Sequence, residues 1–190
     1  MKRVGLRVLM ILLTGAAGLA GEPATQPAAA QRAISKDLFH VTDPPAPPWS
    51  IVDYRPEIDS LVYVTAGHDG EIQFLVLPKN AAIDPGIADS VAVAILKKLR
   101  ADRTKAGMKM LLPAKSEKDS RFLIRIHEIY KVGEKTADEL HLYNNVGPRV
   151  LMLTVNTVAD DPKTVAAEHK AGEDLLLSTT YNRKAFRRDP

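Results

Sequence analysis

Cysteine is absent from all 190 residues. Thiol chemistry and disulfide stapling are therefore excluded, and so is a lipid anchor carried on a cysteine at a cleavage point. Aromatic residues are scarce, 5% of the chain, with Trp49 the single tryptophan. Long apolar runs are missing too. The longest candidate, Val8 to Ala20, is 13 residues, short of the ~20 that a bilayer-spanning helix needs. No sign of charge dominates, since 26 Lys and Arg face 23 Asp and Glu for a formal charge of +3. The GxSxG, GxxxxGK[ST] and GxGxxG patterns do not occur. Serine-hydrolase, nucleotide-hydrolase and dinucleotide-binding readings therefore lack support. What is present, 45% hydrophobic and 26% charged residues, suits a globular protein and excludes collagen-like and wholly disordered classes.

The N-terminus carries Lys2, Arg3 and Arg7, then the apolar VLMILL from Val8 to Leu13, then the small-residue run TGAAGLAG. A positive end, a short apolar centre and small residues before a cut describe a secretory signal peptide. Gly18 and Ala20 place the cut after Ala20, with Ala17 or Ala30 as alternatives. The segment holds three basic residues and no acidic one, so its removal leaves 23 basic against 23 acidic residues. A general attraction to nucleic acid or anionic membrane then loses its basis.

Residues 21–34, rich in Ala, Pro and Gln, read as a flexible tether. A short strand is expected at Leu38 to Val41, followed by TDPPAPPW, whose four prolines dictate an extended loop pinned by Trp49. LVYVT and EIQFLVL flank AGHDG (Ala66 to Gly70), which predicts a hairpin. Asp84 and Pro85 then start a helix that Gly107 ends. Val91, Ile95 and Leu99 fall on one face of it beside Ala88, Ala92 and Leu96, and Lys97, Arg100 and Arg103 are expected to point elsewhere. Strands follow at Met108 to Leu112, Arg121 to Val132, Leu140 to Tyr143 and Arg149 to Val158. A second helix is capped by Asp161, begins at Pro162 and reaches about Tyr181, burying Val165, Gly172, Leu175, Leu176 and Thr179. Several strands are apolar on both faces, which requires cover on both sides. The fold class is α+β: a three-layer α-β-α sandwich on a mainly antiparallel sheet with two long helices. One domain, residues 35–182, precedes a basic tail, residues 183–190.

Of five histidines, no two stand at helical i, i+4 spacing or in an HxH pair, so common zinc spacings are absent. His127 and His141 lie on strands expected to pair around Gly133 and are weak metal candidates, although Glu128 points to the face opposite His127. His68 and Asp69 in the glycine turn are explained by the turn itself. Asp160 and Asp161 are assigned to helix capping, Glu173 and Asp174 to a solvated helical face. Arg183, Lys184, Arg187 and Arg188 form the basic cluster of the mature chain and are candidates for contact with an acidic partner or anionic surface.

The element order, with a P-x-W motif at Pro47 and Trp49 before the first hairpin and a final helix led by Asp-Pro, resembles the PsbP-like superfamily. The group includes PsbP, the Ran-release factor and DcrB-like envelope proteins, and the resemblance spans about residues 35–182. It implies an α-β-α sandwich that binds a partner and performs no chemistry, with no cofactor, and it carries no binding residue over to this chain. The expected function is thus an exported, non-catalytic domain that binds or helps assemble an unidentified envelope partner. The alternative is an exported metal-dependent or hydrolytic enzyme using His127 and His141.

Overall fold

The computed structural model describes residues 31–34, 38–42, 49–55, 60–65, 69–77 and 82–186. The signal-like segment, the proline-rich stretch 43–48, the turn residues 66–68 including His68, and Arg187 and Arg188 lie outside the described residues. The elements are β1 (Gln31–Ile34), β2 (Phe39–Thr42), β3 (Trp49–Arg55), β4 (Ser60–Thr65), β5 (Asp69–Val76), α1 (Ala88–Lys105) and β6 (Met110–Glu117). They continue with β7 (Ile124–Val132), β8 (Lys135–Val146), β9 (Arg149–Val158), α2 (Pro162–Ser178), β10 (Thr180–Tyr181) and the short α3 (Arg183–Phe186).

One sheet has the strand order β3-β4-β5-β9-β8-β7-β6, with every neighbouring pair antiparallel. A small antiparallel sheet, β1-β2-β10, accompanies it. Alternation along β9 separates two cores. Leu151, Leu153 and Val155 pack with Ala171, Leu175 and Leu176 of α2 and with Phe39 and Val41 of β2. Val150 and Met152 point the other way, toward Ala88 and Ala92 of α1. Successive strand residues face opposite sides, so a central strand buried twice must be apolar at both parities. The expected three-layer α-β-α sandwich is what forms.

Local chemistry sets the boundaries. Asp161 caps α2, accepting from the backbone N–H groups of Lys163 and Thr164 at 3.2 Å each, with Pro162 in the first turn as expected. A short 3₁₀ turn at Pro85–Ile87, capped by Asp84, leads into α1. That helix closes at Gly107 (φ +67), where Gly107 N–H donates to Thr104 O and Met108 N–H to Arg103 O. This is the paired closure that a left-handed residue permits. The β8–β9 turn is Gly147-Pro148, with Gly147 at φ +61 and proline's ring holding its own φ negative, the combination of a type II′ hairpin.

Several expectations are corrected. Residues 31–34, assigned to a tether, form β1 against β2. Trp49 opens a strand, β3, that was not expected, because a register shift between Ile51 and Asp53 breaks the alternation. β8 is 12 residues long, far beyond Leu140 to Tyr143, since Asp138 and Glu139 look like loop residues until their partners on other elements are known. β6 runs to Glu117 through Pro113, which an edge strand with two register shifts tolerates. α2 ends at Ser178.

Gly172 sets the distance between α2 and the sheet. A Cβ there would come to 3.0 Å from Leu153 Cδ2 and closer still to Val155 Cγ2. Alanine normally favours a helix over glycine by about 1 kcal/mol, but Val155 is stiff and the helix must retreat, at a cost of about 1–3 kcal/mol. Gly172→Ala should therefore lower the urea midpoint. An unchanged or raised midpoint would show that close approach at Gly172 does not hold α2 in place.

Candidate functional site

The alternation that divides the apolar core also divides the polar groups. His127 pairs in register with Leu140, and Ile126 with His141. Cross-strand partners share a face, so His127 lies on the α2 side and His141 on the α1 side. The structure does not bring His127 and His141 together. The expectation that the β7–β8 hairpin would let them approach fails because their pairing is offset by one residue, and one residue is one face.

On the α2 side, His127 Nε2 donates to Asp138 Oδ1 at 2.7 Å, and its Nδ1 stands 3.5 Å from Glu117 Oε1. His169 of α2 places Nε2 3.2 Å from the same Asp138 oxygen, off the line of a good hydrogen bond, and its ring meets His127 edge-on with centroids 5.7 Å apart. The hydrogen bond to Asp138 raises His127 above the ordinary imidazole value against the opposing effect of burial. Burial pushes Asp138 up, but the two imidazoles beside it, His127 and His169, outweigh that and hold the carboxyl well below its usual range. The charges continue outward: Arg125 reaches Glu117 (3.1 Å) and Glu173 (3.3 Å), and Arg121 bridges Glu173 (3.0 Å) and Asp119 (2.7 Å). Glu173, expected on a solvated face, is buried and ties α2 to the β6–β7 region. Asp174 is the exposed member of that pair, held by Lys170. A groove of about 360 Å³ opens beside the histidines, lined also by Ile129, Thr136, Asp160, Val165 and Ala166.

On the α1 side, Arg103 donates from Nε (3.0 Å) and Nη2 (2.7 Å) to Glu128 Oε1 and from Nη2 to Glu139 Oε2 (2.7 Å). Its guanidinium lies 4.5 Å over the Tyr130 ring, and Tyr130 donates to Glu139 Oε2 at 2.5 Å. Glu128 is fully buried and Glu139 nearly so. Burial alone would raise Glu128, yet the hydrogen bonds from His141 and Arg103 hold it below the ordinary carboxyl value. Arg103 was expected to face away. It is the next step of the Val91, Ile95, Leu99 series, and that i+4 spacing is the signal that places it under the helix. Arg100 likewise turns inward to Ala114 O, at 2.7 Å from Nη2. His141 stands 3.3 Å from Glu128 Oε1, from Glu139 Oε1 and, through Nδ1, from Thr154 Oγ1.

A hydroxyl, an imidazole and a carboxylate in line suggest a nucleophile and base. However, Thr154 lies on β9, paired with Gln73 on one side and His141 on the other, so both flanks of that strand are committed to the ladder. A fixed pair of free amides for an oxyanion is not available there. Arg183 and Lys184 are exposed on α3, where Lys184 N–H donates to Asn182 Oδ1.

No protein-family model matches the chain, and no curated protein sequence does. Solved structures do. The cyanobacterial PsbP (CyanoP) of Synechocystis sp. PCC 6803 superposes with a TM-score of 0.51 at 16% identity, covering 86% of this chain and 99% of that one. A Bacteroides thetaiotaomicron VPI-5482 protein gives 0.50 at 9% identity over 83% of this chain and 50% of the other. LpqN of Mycobacterium tuberculosis, involved in cell envelope biogenesis, gives 0.43 at 15% identity over 83% and 86%. The chain has the PsbP-like fold. Among the described residues no helix is long and apolar enough to cross a membrane.

Two predictions follow from the paired charges. Arg103→Met leaves Glu128 buried without its cation and should cost about 3–5 kcal/mol at pH 7. Glu128 has a lowered value in the folded protein, so its stabilisation is present above the ordinary carboxyl range and fades as pH falls. The deficit of the variant should therefore shrink in urea titrations at pH 4, and a pH-independent deficit would place the loss in packing. Asp138→Asn should lower the His127 midpoint read by NMR. The raised His127 value contributes stability below the ordinary imidazole range that is lost as pH rises through the folded midpoint, so this gain on acidification should also vanish in the variant.

Proposed function

We propose that this chain is an exported, non-catalytic domain that binds, or helps to assemble, another component of the cell envelope, using the groove between α2 and the sheet. The observation that supports this reading is the state of His127, the best-placed base in the groove. Its two ring nitrogens face Asp138 and Glu117 at 2.7 and 3.5 Å, so both are directed at carboxylates of the protein itself, an arrangement that favours the protonated imidazole over a base open to a substrate. A hydrolytic or metal-dependent enzyme built on His127 and His141 together has lost its geometry, because the sheet lies between them.

The groove offers what partner recognition needs: aliphatic walls from Ile129, Val165 and Ala166 with Asp160 and Thr136 at hand. The outer edge at β6 is a poorer docking strand, because Pro113 removes a donor and two register shifts interrupt its ladder. Support for export is the Lys2, Arg3 and Arg7 cluster followed by VLMILL and small residues. Arg183, Lys184, Arg187 and Arg188 are proposed as a separate basic contact. The groove is lined by α2 residues from Pro162 to His169, whereas Arg183 and Lys184 belong to α3, beyond the end of that helix.

Ala166→Arg fills the groove from an exposed helical position and keeps helix propensity. Affinity capture from native envelope extract should enrich a specific companion with the wild-type protein and lose it with this variant. Capture that is equal with both proteins sinks the groove as the docking surface. Truncation of residues 183–190 should weaken capture at low salt only.

A further inference from the structure

Four neighbouring strands carry one polar row across the α1 face of the sheet. Glu71, Asn156, Glu139 and Glu128 are cross-strand partners in succession on β5, β9, β8 and β7. His141 stands two residues along β8 on the same side. Two of its three carboxyl groups share one guanidinium, Arg103, so among the described residues the row holds more carboxylates than guanidinium groups. Two of its acceptor atoms are buried with no donor: Glu128 Oε2, on a side chain with no exposed surface, and Asn156 Oδ1. Buried acceptors without a donor are costly.

We propose that Glu128, Glu139 and His141 form a buried binding site for a divalent transition-metal ion, with Asn156 Oδ1 as a further oxygen at its open side. Donor atoms of the three residues lie within 4.8 Å of one another. His141 Nε2 is 3.3 Å from an oxygen of each glutamate, long for a charge-assisted hydrogen bond. The Glu139 Oε1 distance matches the roughly 3.4 Å that separates two ligand atoms each about 2.1 Å from a tetrahedral ion. Thr154 Oγ1, 3.3 Å from Nδ1, accepts the Nδ1 proton in the tautomer that leaves the Nε2 lone pair facing the carboxylates. That tautomer gives up the hydrogen bond from Nε2 to Glu128 in exchange for a metal bond, and the contact of Nδ1 with Thr154 is the orienting contact that metal-bound imidazoles use. Arg103 occupies Glu128 Oε1 and Glu139 Oε2, so Glu139 Oε1 already stands free beside Nε2 and Glu128 contributes its donor-less Oε2, while the guanidinium steadies both carboxylates from behind. Mixed imidazole and carboxylate donors suit Zn²⁺ or Co²⁺ over Mg²⁺. The site is closed on the helix side, so the ion is structural, and it is reached past the exposed Glu71.

The protein without a histidine tag, titrated with Zn²⁺ by calorimetry, should bind one equivalent, and Co²⁺ should produce visible d–d absorption that Zn²⁺ displaces. Mg²⁺ in excess should not compete. Affinity should fall roughly tenfold or more in His141→Gln and persist in His169→Gln. Should His141→Gln not fold, the wild-type protein still decides: Zn²⁺ should move the ring resonances of His141 and leave those of His169 in place. Absence of saturable binding, or loss in His169→Gln with shifts confined to His127 and His169, overturns the proposal.

Discussion

The guanidinium of Arg103 lies between two buried carboxylates on adjacent strands, and much of the α1 layer is organised around it. Glu128 has no exposed surface and Glu139 very little. Both project from strands under a helix, where an unpaired charge costs several kcal/mol. One planar cation with several donors answers both, and it does so only if α1 crosses β7 with Arg103 directly above the row. Tyr130 completes the arrangement by capping the guanidinium with its ring and donating its hydroxyl to Glu139. The register of α1 on the sheet is therefore held by charge geometry, while the surrounding alanines and aliphatics of its core supply the area.

A second network on the opposite face does related work with different chemistry. His127, Asp138 and His169, continued by Arg125, Glu117, Glu173 and Arg121, connect α2 to the strands by alternating charge. This network is less buried and borders a groove, whereas the α1 network is enclosed. A β-strand alternates, so β8 contributes Asp138 to one network and Glu139 to the other. In each network the ionisable groups fasten a helix to the sheet.

Much of the fold was legible. The Asp161-Pro162 start of α2, the ends of β9, the hairpin flanks and the glycine closing α1 are local devices whose dihedral and hydrogen-bond demands act within a few residues. Two apolar parities on Val150 to Val158 called for two covering layers, and the layers are there. Less legible were β1, whose pairing partner is non-local, β3, whose register shift disguises the alternation, and the length of β8, whose acidic residues imitate a loop. At the site, no local pattern joins Glu117, Asp138 and His169 to His127, or Arg103, Glu128 and Glu139 to His141, because these residues meet only across strands and between helix and sheet.

By itself the sequence determined the secondary structure that local chemistry enforces, the need for a sheet covered twice, and the absence of thiol chemistry. Only the tertiary structure decided which polar residues meet. Residues 103, 128, 139 and 141 belong to three elements, and their meeting depends on helix placement and on a strand register in which a shift of one residue would send every side chain to the other face. That register is set by the packing of the whole sheet, which no short window of sequence contains.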